Sequence, residues 1–462
     1  MIAWLIGTCA RNRWLTLTVI ALALAFGLRA LRGTPLDAIP DLSDTQVIVS
    51  TEWMGRSPDL VEDQITYPIV TALRSAPGVQ YVRGLSMIGD SFVYVVFKDG
   101  VDPYWARSRV LEYLAAIREK LPEGVNPTLG PDATSVGWVF EYALVDTTGQ
   151  NDLAQLRSFQ DWYLRYWLQS VDGVAEVAPV GGFVKQYQVD LDPRRLESYG
   201  VSIREVATAI RRSNNDVGGS VVEIAEYEHF VRGRGYVRSV ADLAQVVAKV
   251  GADGVPVTVG QLGEVHLGPA ERRGIAELNG EGEVVGGIVI MRQKQNALHV
   301  IESVKQRLAE LQGSFPPGIK LVVTYDRSQL IHRAVRTLWH ELIQEMVIVS
   351  AVIVLFLFHF RSALIPILTL PIAVLLSFLP MAGQGLTANI MSLGGIAVAI
   401  GAMIDASIIM VENVHKKLDA WEEGGRREPR HEVVVHALQE VGRPVFFALM
   451  VITVSFLPIF TL

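Results

Sequence analysis

Apolar residues are distributed along this chain in two patterns. In five segments they run for about the length a helix needs to cross a bilayer, roughly 20 residues: Trp14–Leu31, Leu342–Phe358, Leu364–Met381, Ile390–Val411 and Pro444–Leu462. From Gly33 to about Arg336 no apolar run reaches that length. The pattern there shortens to strand-like runs that alternate with amphipathic helices. Thr45–Trp53, Val79–Arg83, Phe92–Phe97 and Val139–Val145 read as strands. Pro58–Ala76, Tyr104–Leu121, Leu153–Leu168 and Leu196–Asn214 read as helices. Ser57 is placed to cap the first of these, with Pro58 at its first position. Further strands are expected at Val221–Ile224, Phe230–Gly233, Val284–Met291 and Lys320–Tyr325, with a helix at Ala297–Leu311 before the last.

The middle region also repeats itself. Arg74–Pro103 and Gln169–Pro193 each read as a helix end, an acidic or proline turn with Gly-Val, a strand, a glycine turn and a second strand. Repeated strand–helix–strand units of this kind imply split βαβ subdomains. The fold class expected is therefore an α+β membrane protein with five transmembrane helices and a large non-membrane region.

Composition agrees with this picture. Hydrophobic residues make up 50% of the chain and charged residues 19%, and mean hydropathy is +0.30. The net charge of −7 gives no basic footprint for nucleic acid. One cysteine, Cys9, leaves no intrachain disulfide framework and no cysteine metal cluster. Arg11 and Arg13 before the first span, Arg361, and a basic loop assigned to 413–443 put those points on the cytoplasmic side. The middle region then lies outside the cytoplasm. A cleaved signal peptide is the alternative for the first span, but no small-residue cleavage site precedes Thr34.

The chemistry concentrates in Asn389–Leu418. Two acids, Asp405 and Glu412, interrupt its apolar run, and their seven-residue spacing puts them on one helix face. A carboxylate inside a span costs ~2.5–3.5 kcal/mol on insertion scales and marks an ion or proton pathway by default. A structural acid bonded to a neighbouring helix is the alternative for Asp405, and an interfacial anchor the alternative for Glu412. Gly394, Gly395, Gly401, Ala399, Ala402 and Ala406 would let helices pack closely around the face. The chain has no G-x-x-x-x-G-K-[ST] nucleotide loop and no G-x-S-x-G elbow. The nine histidines are scattered. A carboxylate pair in a span with no nucleotide motif favours proton-motive force, at ~2.3 kcal/mol per charge per 100 mV. Met391, Met403 and Met410 lie on the same span. Soft thioethers select Cu(I) and Ag(I), although methionine is also an ordinary packing residue.

This span, with Thr34–Val49, Asp102–Leu114, Leu129–Trp138, Arg272–Val284 and Val323–Ile331, resembles the resistance-nodulation-division (RND) pumps in the same order along the chain. The likeness is to their heavy-metal branch, in form the copper/silver members. The resemblance covers essentially the whole chain and implies the N-terminal half of a pump about twice as long. It implies a first span within 1–33, a first porter subdomain at 34–134 and a second at 135–184 and 271–332. A docking subdomain at 185–270 would be inserted in the second, and the remaining spans would occupy 333–462. It further implies an inner-membrane, proton-driven exporter of Cu(I) or Ag(I) without a resident cofactor. Such a pump would work in lipid as a homotrimer with a periplasmic adaptor and an outer-membrane channel. Asp405 and Glu412 would carry protons, and Met391 and Met403 would line the ion's path. One departure is Glu271, where a methionine would continue that path. Pumps for zinc, cobalt and cadmium tend to have D-F-G-x-x-x-D in this helix, whose first aspartate falls at Ala399 and whose phenylalanine falls at Ile400. The rival readings are a divalent-cation exporter and a non-transporting half that assembles with partners.

Overall fold

The computed structural model describes residues 1–251, 254–272, 274–357, 360–425 and 428–456. The chain opens with α1 (Ile2–Arg11) and α2 (Arg13–Gly33). A first unit follows: β1 (Gln46–Glu52), α3 (Pro58–Val61), α4 (Tyr67–Leu73), β2 (Val79–Met87), β3 (Asp90–Phe97), α5 (Pro103–Ile117) and β4 (Thr128–Leu129). A second unit begins with β5 (Trp138–Asp146), α6 (Leu153–Phe159), α7 (Arg165–Gln169) and β6 (Val174–Gly181). The chain then leaves for an insertion made of β7 (Lys185–Leu191), α8 (Pro193–Tyr199), α9 (Ile203–Ser213), β8 (Val217–Ile224), β9 (Tyr227–Gly233), α10 (Val240–Ala244), β10 (Val247–Val250), β11 (Pro256–Thr258), α11 (Val259–Leu262) and β12 (Gly263–Pro269). The second unit resumes with β13 (Val285–Met291), α12 (Ala297–Leu311) and β14 (Ile319–Asp326). Four long helices follow: α13 (Arg327–Leu357), α14 (Phe360–Gln384), α15 (Ile390–Glu423) and α16 (Arg430–Ser455).

The two units share one topology. The first sheet has the order β2-β3-β1-β4, and the second, read in the same sense, β6-β13-β5-β14, with every neighbour antiparallel. Each unit's first helical segment contains a π turn, Glu62–Thr66 and Gln160–Leu164. The repeat therefore runs deeper than the sequence reading took it, but with a different partner strand. β7, matched by sequence to β3, pairs with β12 in a separate sheet, and β13 takes the place of β3. The turns explain the switch. In the first unit Gly89, at φ 70, folds β3 straight back onto β2. In the second, Gly181 and Gly182 take φ 73 and 60 in succession and turn the chain away from its sheet. A Cβ on Gly181 would stand 2.3 Å from the Val284 carbonyl oxygen, where the chain returns. Each unit has its own apolar core, around Val49, Ile65 and Phe97 in the first and around Phe140, Leu164 and Ile301 in the second.

The stretch read as one helix, Leu196–Asn214, is two. Gly200 at φ 57 ends α8, and Ser202 starts α9 with a capping box to Glu205. NNDVGG, read as a loop, already contains the start of β8. β8 and β9 form a hairpin on which every residue is exposed, including Phe230 at 82%.

Five described helices are long and apolar enough to cross a membrane: α2, α15, α16, and stretches of α13 and α14. Three boundaries differ from the sequence reading. First, α1 precedes the first span and packs on α16, where Gln439 donates to the Ala3 carbonyl at 2.8 Å and Gly7 is buried. Second, 413–443 is not a loop: α15 runs to Glu423 and α16 starts at Arg430. Charged side chains at helical spacing, including the Lys417–Glu440 pair at 2.9 Å, extend both helices beyond their apolar segments. Third, Pro444, read as the start of the last span, lies inside α16. The predicted turn at His359 falls outside the described residues, as does the end of the last span from Leu457; Phe360 and Arg361 are already helical.

β14 passes into α13 without a linker, and two ion pairs fix the junction. Lys305 of α12 meets Asp326 at 2.5 Å, and Asp326 also accepts from the Ser328 amide at 3.0 Å and hydroxyl at 2.6 Å. Arg327, 3% exposed, pairs with Asp37 at 3.4 Å and donates to the Trp138 carbonyl at 2.6 Å. Removing one member of such a buried pair costs ~3–5 kcal/mol in general, because the other charge is left behind.

Burial opposes ionisation of Asp326, but its hydrogen bonds from Lys305 and Ser328 outweigh that and hold the carboxyl below the usual aspartate range. A depressed carboxylate stabilises the fold above its unfolded value of roughly 3.9, and that contribution is lost as pH falls towards its lower folded value. Asp326→Asn should therefore lower unfolding stability at pH 7 by roughly 1.5–3 kcal/mol, the scale of a charged hydrogen bond. The gap to wild type should close in acid titrations below about pH 4. A gap that persists unchanged at low pH would show that the contribution is not ionic.

Candidate functional site

α15 is fixed at its start by Asn389, whose side chain accepts from the Met391 and Ser392 amides at 3.0 Å each, while Ser392 reaches back to the Asn389 amide at 2.8 Å. One side of the helix is buried: Leu393, Ile396, Ile400 and Ile404 join a cluster with Leu342, Val349 and Ile353 of α13 and Leu370 and Phe378 of α14. Farther along, the Asn413 amide donates to the Ala437 carbonyl of α16 at 2.8 Å.

The acids lie on the other side. Asp405 and Glu412 are both exposed, on a stripe with Met391, Gly394, Val398 and Ile409. Their seven-residue separation is about 10 Å along the axis. Neither has a hydrogen bond or ion pair among the described residues. Nor does any atom come within 4 Å of a Cβ built on Gly394, Gly395 or Gly401. The close-packing face expected from the small residues is present, but the helices of this chain pack on the opposite one.

The structure does not bring the two methionines together. Met391 is 68% exposed at the start of the helix, whereas Met403 packs against the buried cluster. Twelve residues separate them, about 18 Å along the axis and a third of a turn around it. Among the described residues no three His, Cys, Asp or Glu side chains are grouped to hold a metal ion.

Sequence reasoning passed over Glu345. It lies on α13, and one of its carboxyl oxygens is buried without a hydrogen-bond partner among the described residues, as is the Ser350 hydroxyl. The signal was available, since Glu345 interrupts the apolar run Leu342–Phe358 as Asp405 interrupts its own.

Asn413 ties α15 to α16 between the acids and the charged end. Asn413→Ala should lower the thermal stability of the solubilised protein by about 0.5–1.5 kcal/mol, the net worth of one hydrogen bond. An unchanged melting temperature would show that the Ala437 carbonyl finds another donor.

Residues 5–462 match the AcrB/AcrD/AcrF family model. The chain is 52% identical over 467 residues to the cation efflux system protein CusA of Escherichia coli K12, covering 100% of this chain and 45% of that protein. It is 51% identical over 467 residues to the putative cation efflux system protein SilA of Salmonella typhimurium, with coverage of 100% and 45%. To the cobalt-zinc-cadmium resistance protein CzcA of Cupriavidus metallidurans the identity is 35% over 469 residues, with coverage of 99% and 44%. Among solved structures, the X-ray structure of a heavy metal efflux pump (crystal form II) superposes with a TM-score of 0.84 at 33% identity, covering 99% of this chain and 44% of that one. The chain thus spans a little under half the length of the relatives it matches.

Proposed function

Because this chain belongs to the AcrB/AcrD/AcrF family of RND pumps, we propose that it forms part of a proton-driven exporter of monovalent, thiophilic metal ions, Cu(I) or Ag(I). The observation that carries this reading is the outward-facing carboxylate stripe of α15. A spanning helix buries its apolar side on its neighbours and leaves Asp405 and Glu412 on the open side. In a bilayer such acids belong against protein or a hydrated path, since each costs ~2.5–3.5 kcal/mol at mid-span on insertion scales. Asp405 is the proton carrier. Glu412, seven residues on and nearer the charged end of the helix, exchanges protons with water. Metal ions are cargo here, and no resident cofactor is part of the reading.

The ion preference rests on two supports. Identity is higher to CusA and SilA, 52% and 51%, than to CzcA, named for cobalt-zinc-cadmium resistance, 35%. Ala399 also denies the apolar part of the helix a further acid. Met391 and Met403 act as successive soft contacts along α15, since their spacing rules out a shared site. The two sheet units serve as porter subdomains and the insertion as a docking subdomain. The exposed β8–β9 hairpin, with Val221, Tyr227 and Phe230 in solvent, supports a homotrimer in which it reaches a neighbouring copy. The adaptor and outer-membrane channel complete a tripartite system in the inner membrane, with the sheets on the periplasmic side.

In the full-length protein, Asp405→Asn should abolish metal resistance at unchanged protein level, and Glu412→Gln should reduce it less. Wild-type resistance in Asp405→Asn would remove the carrier role. Replacing both Met391 and Met403 by Leu conserves volume, at a packing cost usually below ~1.5 kcal/mol. Silver tolerance should fall in that variant, and a fall in zinc or cobalt tolerance instead would reassign the ion.

A further inference from the structure

Between α2 and β1 the chain passes through a short strap, Thr34–Ile39, that touches nearly every sheet-side end of the membrane helices. Its backbone is bonded to the α14–α15 connection: Ala388 donates to the Pro35 carbonyl at 2.9 Å, Asp37 to the Ala388 carbonyl at 3.1 Å, and the first α15 amide, Ile390, to the Ala38 carbonyl at 3.2 Å. Leu36 and Ala388 form a parallel bridge. The side chains face both ways. Leu36 packs against the helix cluster and also against the core of the second sheet, and Ala38, 1% exposed, belongs to that second core. Between them Asp37 turns inward, accepts from the Ala38 amide at 2.6 Å and meets Arg327 at 3.4 Å. Arg327 is the first residue of α13, and its other nitrogen holds the carbonyl of Trp138, the first residue of β5.

We propose that the Asp37–Arg327 pair is the joint through which movement of α15 reaches the second sheet, which makes both residues positioning residues for transport. This rests on the proton-driven reading of Asp405. A helix transmits displacement along its axis, and about 22 Å of continuous α15 separates Asp405 from Ile390. From Ile390 one backbone hydrogen bond, to Ala38, reaches the strap directly, and the bonds of Ala388 with Pro35 and Asp37 act beside it. The strap's one buried charge then grips Arg327 of α13, and Arg327 in turn holds β5. A packed, charge-paired joint has discrete arrangements and does not yield continuously, so a small shift at α15 arrives at the sheet as a defined displacement. The joint therefore carries the second sheet with α15.

The test uses the full-length protein in lipid vesicles, in a cysteine-free background that replaces the exposed Cys9. An environment-sensitive fluorophore is attached either at Asp419, exposed on α15, or at Glu302, exposed on α12. Wild type should show a signal change at both positions between pH 8 and pH 5.5. Absence of any change at Asp419 would mean that the proton-driven reading itself fails, and the joint with it. In Asp37→Asn the Asp419 change should persist and the Glu302 change should vanish. Export of silver should fall at least tenfold, while silver affinity stays within twofold, and Asp37→Glu should restore part of the coupling. If both signals persist in Asp37→Asn, the pair transmits nothing. If both vanish in a folded variant, the pair shapes α15 and does not link it to the sheet. Should Asp37→Asn fail to fold, Arg327→Lys is read by the same criteria; failure of both to fold would make the pair a structural lock and overturn the proposal.

Discussion

A carboxylate on an apolar helix has to face something that can hydrate or pair it, and the membrane part of this protein is arranged around that constraint. α15 divides its circumference between an aliphatic side, buried on α13 and α14, and a side that carries Asp405 and Glu412. The split follows from residue spacing. Leu393, Ile396, Ile400 and Ile404 recur at three and four, and Met391, Gly394, Val398, Asp405, Ile409 and Glu412 on the opposite side recur at three, four and seven. Glycine and alanine around the acids keep that side low, so another surface can approach the carboxylates closely. The buried side sets the helix orientation, and the orientation in turn presents the acids.

The same helix also begins in the strap that binds the spans to the second sheet. The strap residues lie far from α13 and α15 in sequence, yet their backbone groups bond the α14–α15 connection and the first residue of α15, and the Asp37 side chain pairs with α13. One soluble unit is thus bonded to the spans through buried polar groups, while the other is an independent copy of the same topology with its own core. The insertion in the second unit adds a separate small core around Val206, Val259 and Leu262 and an exposed hairpin, without disturbing the strand order of its host.

Much of this was legible in the residues. The five apolar segments, the strands around Val47, Val93, Phe140 and Val289, and the helices at Tyr104 and Ala297 follow from periodicity, which reflects local burial. The facing of Asp405 and Glu412 follows from their spacing alone. What was not legible depends on partners distant in sequence. The replacement of β7 by β13 beside β6 is decided by where the chain returns after about a hundred residues; the internal repeat matched β7 to β3, and only the family resemblance, which put 185–270 in an insertion, pointed to the departure. The charged segment after Glu412 was read as a loop because charge was taken to end the helix, whereas Lys417–Glu440 and Asn413–Ala437 contacts with α16 sustain it. The separation of Met391 and Met403 required knowing which side of α15 is covered. Glu345 was visible and was overlooked, because attention settled on the span with two acids.

The central claim is that metal leaves in exchange for protons carried on α15. Its most direct measurement is proton flux in vesicles that contain the full-length protein and a trapped pH dye, with a silver gradient as the only imposed driving force. Silver moving down its gradient should drive protons the opposite way, the direction should reverse when the gradient is reversed, and a protonophore should abolish the pH change while silver continues to move. Silver movement without any proton counterflow, and unaffected by an imposed pH gradient, would contradict it.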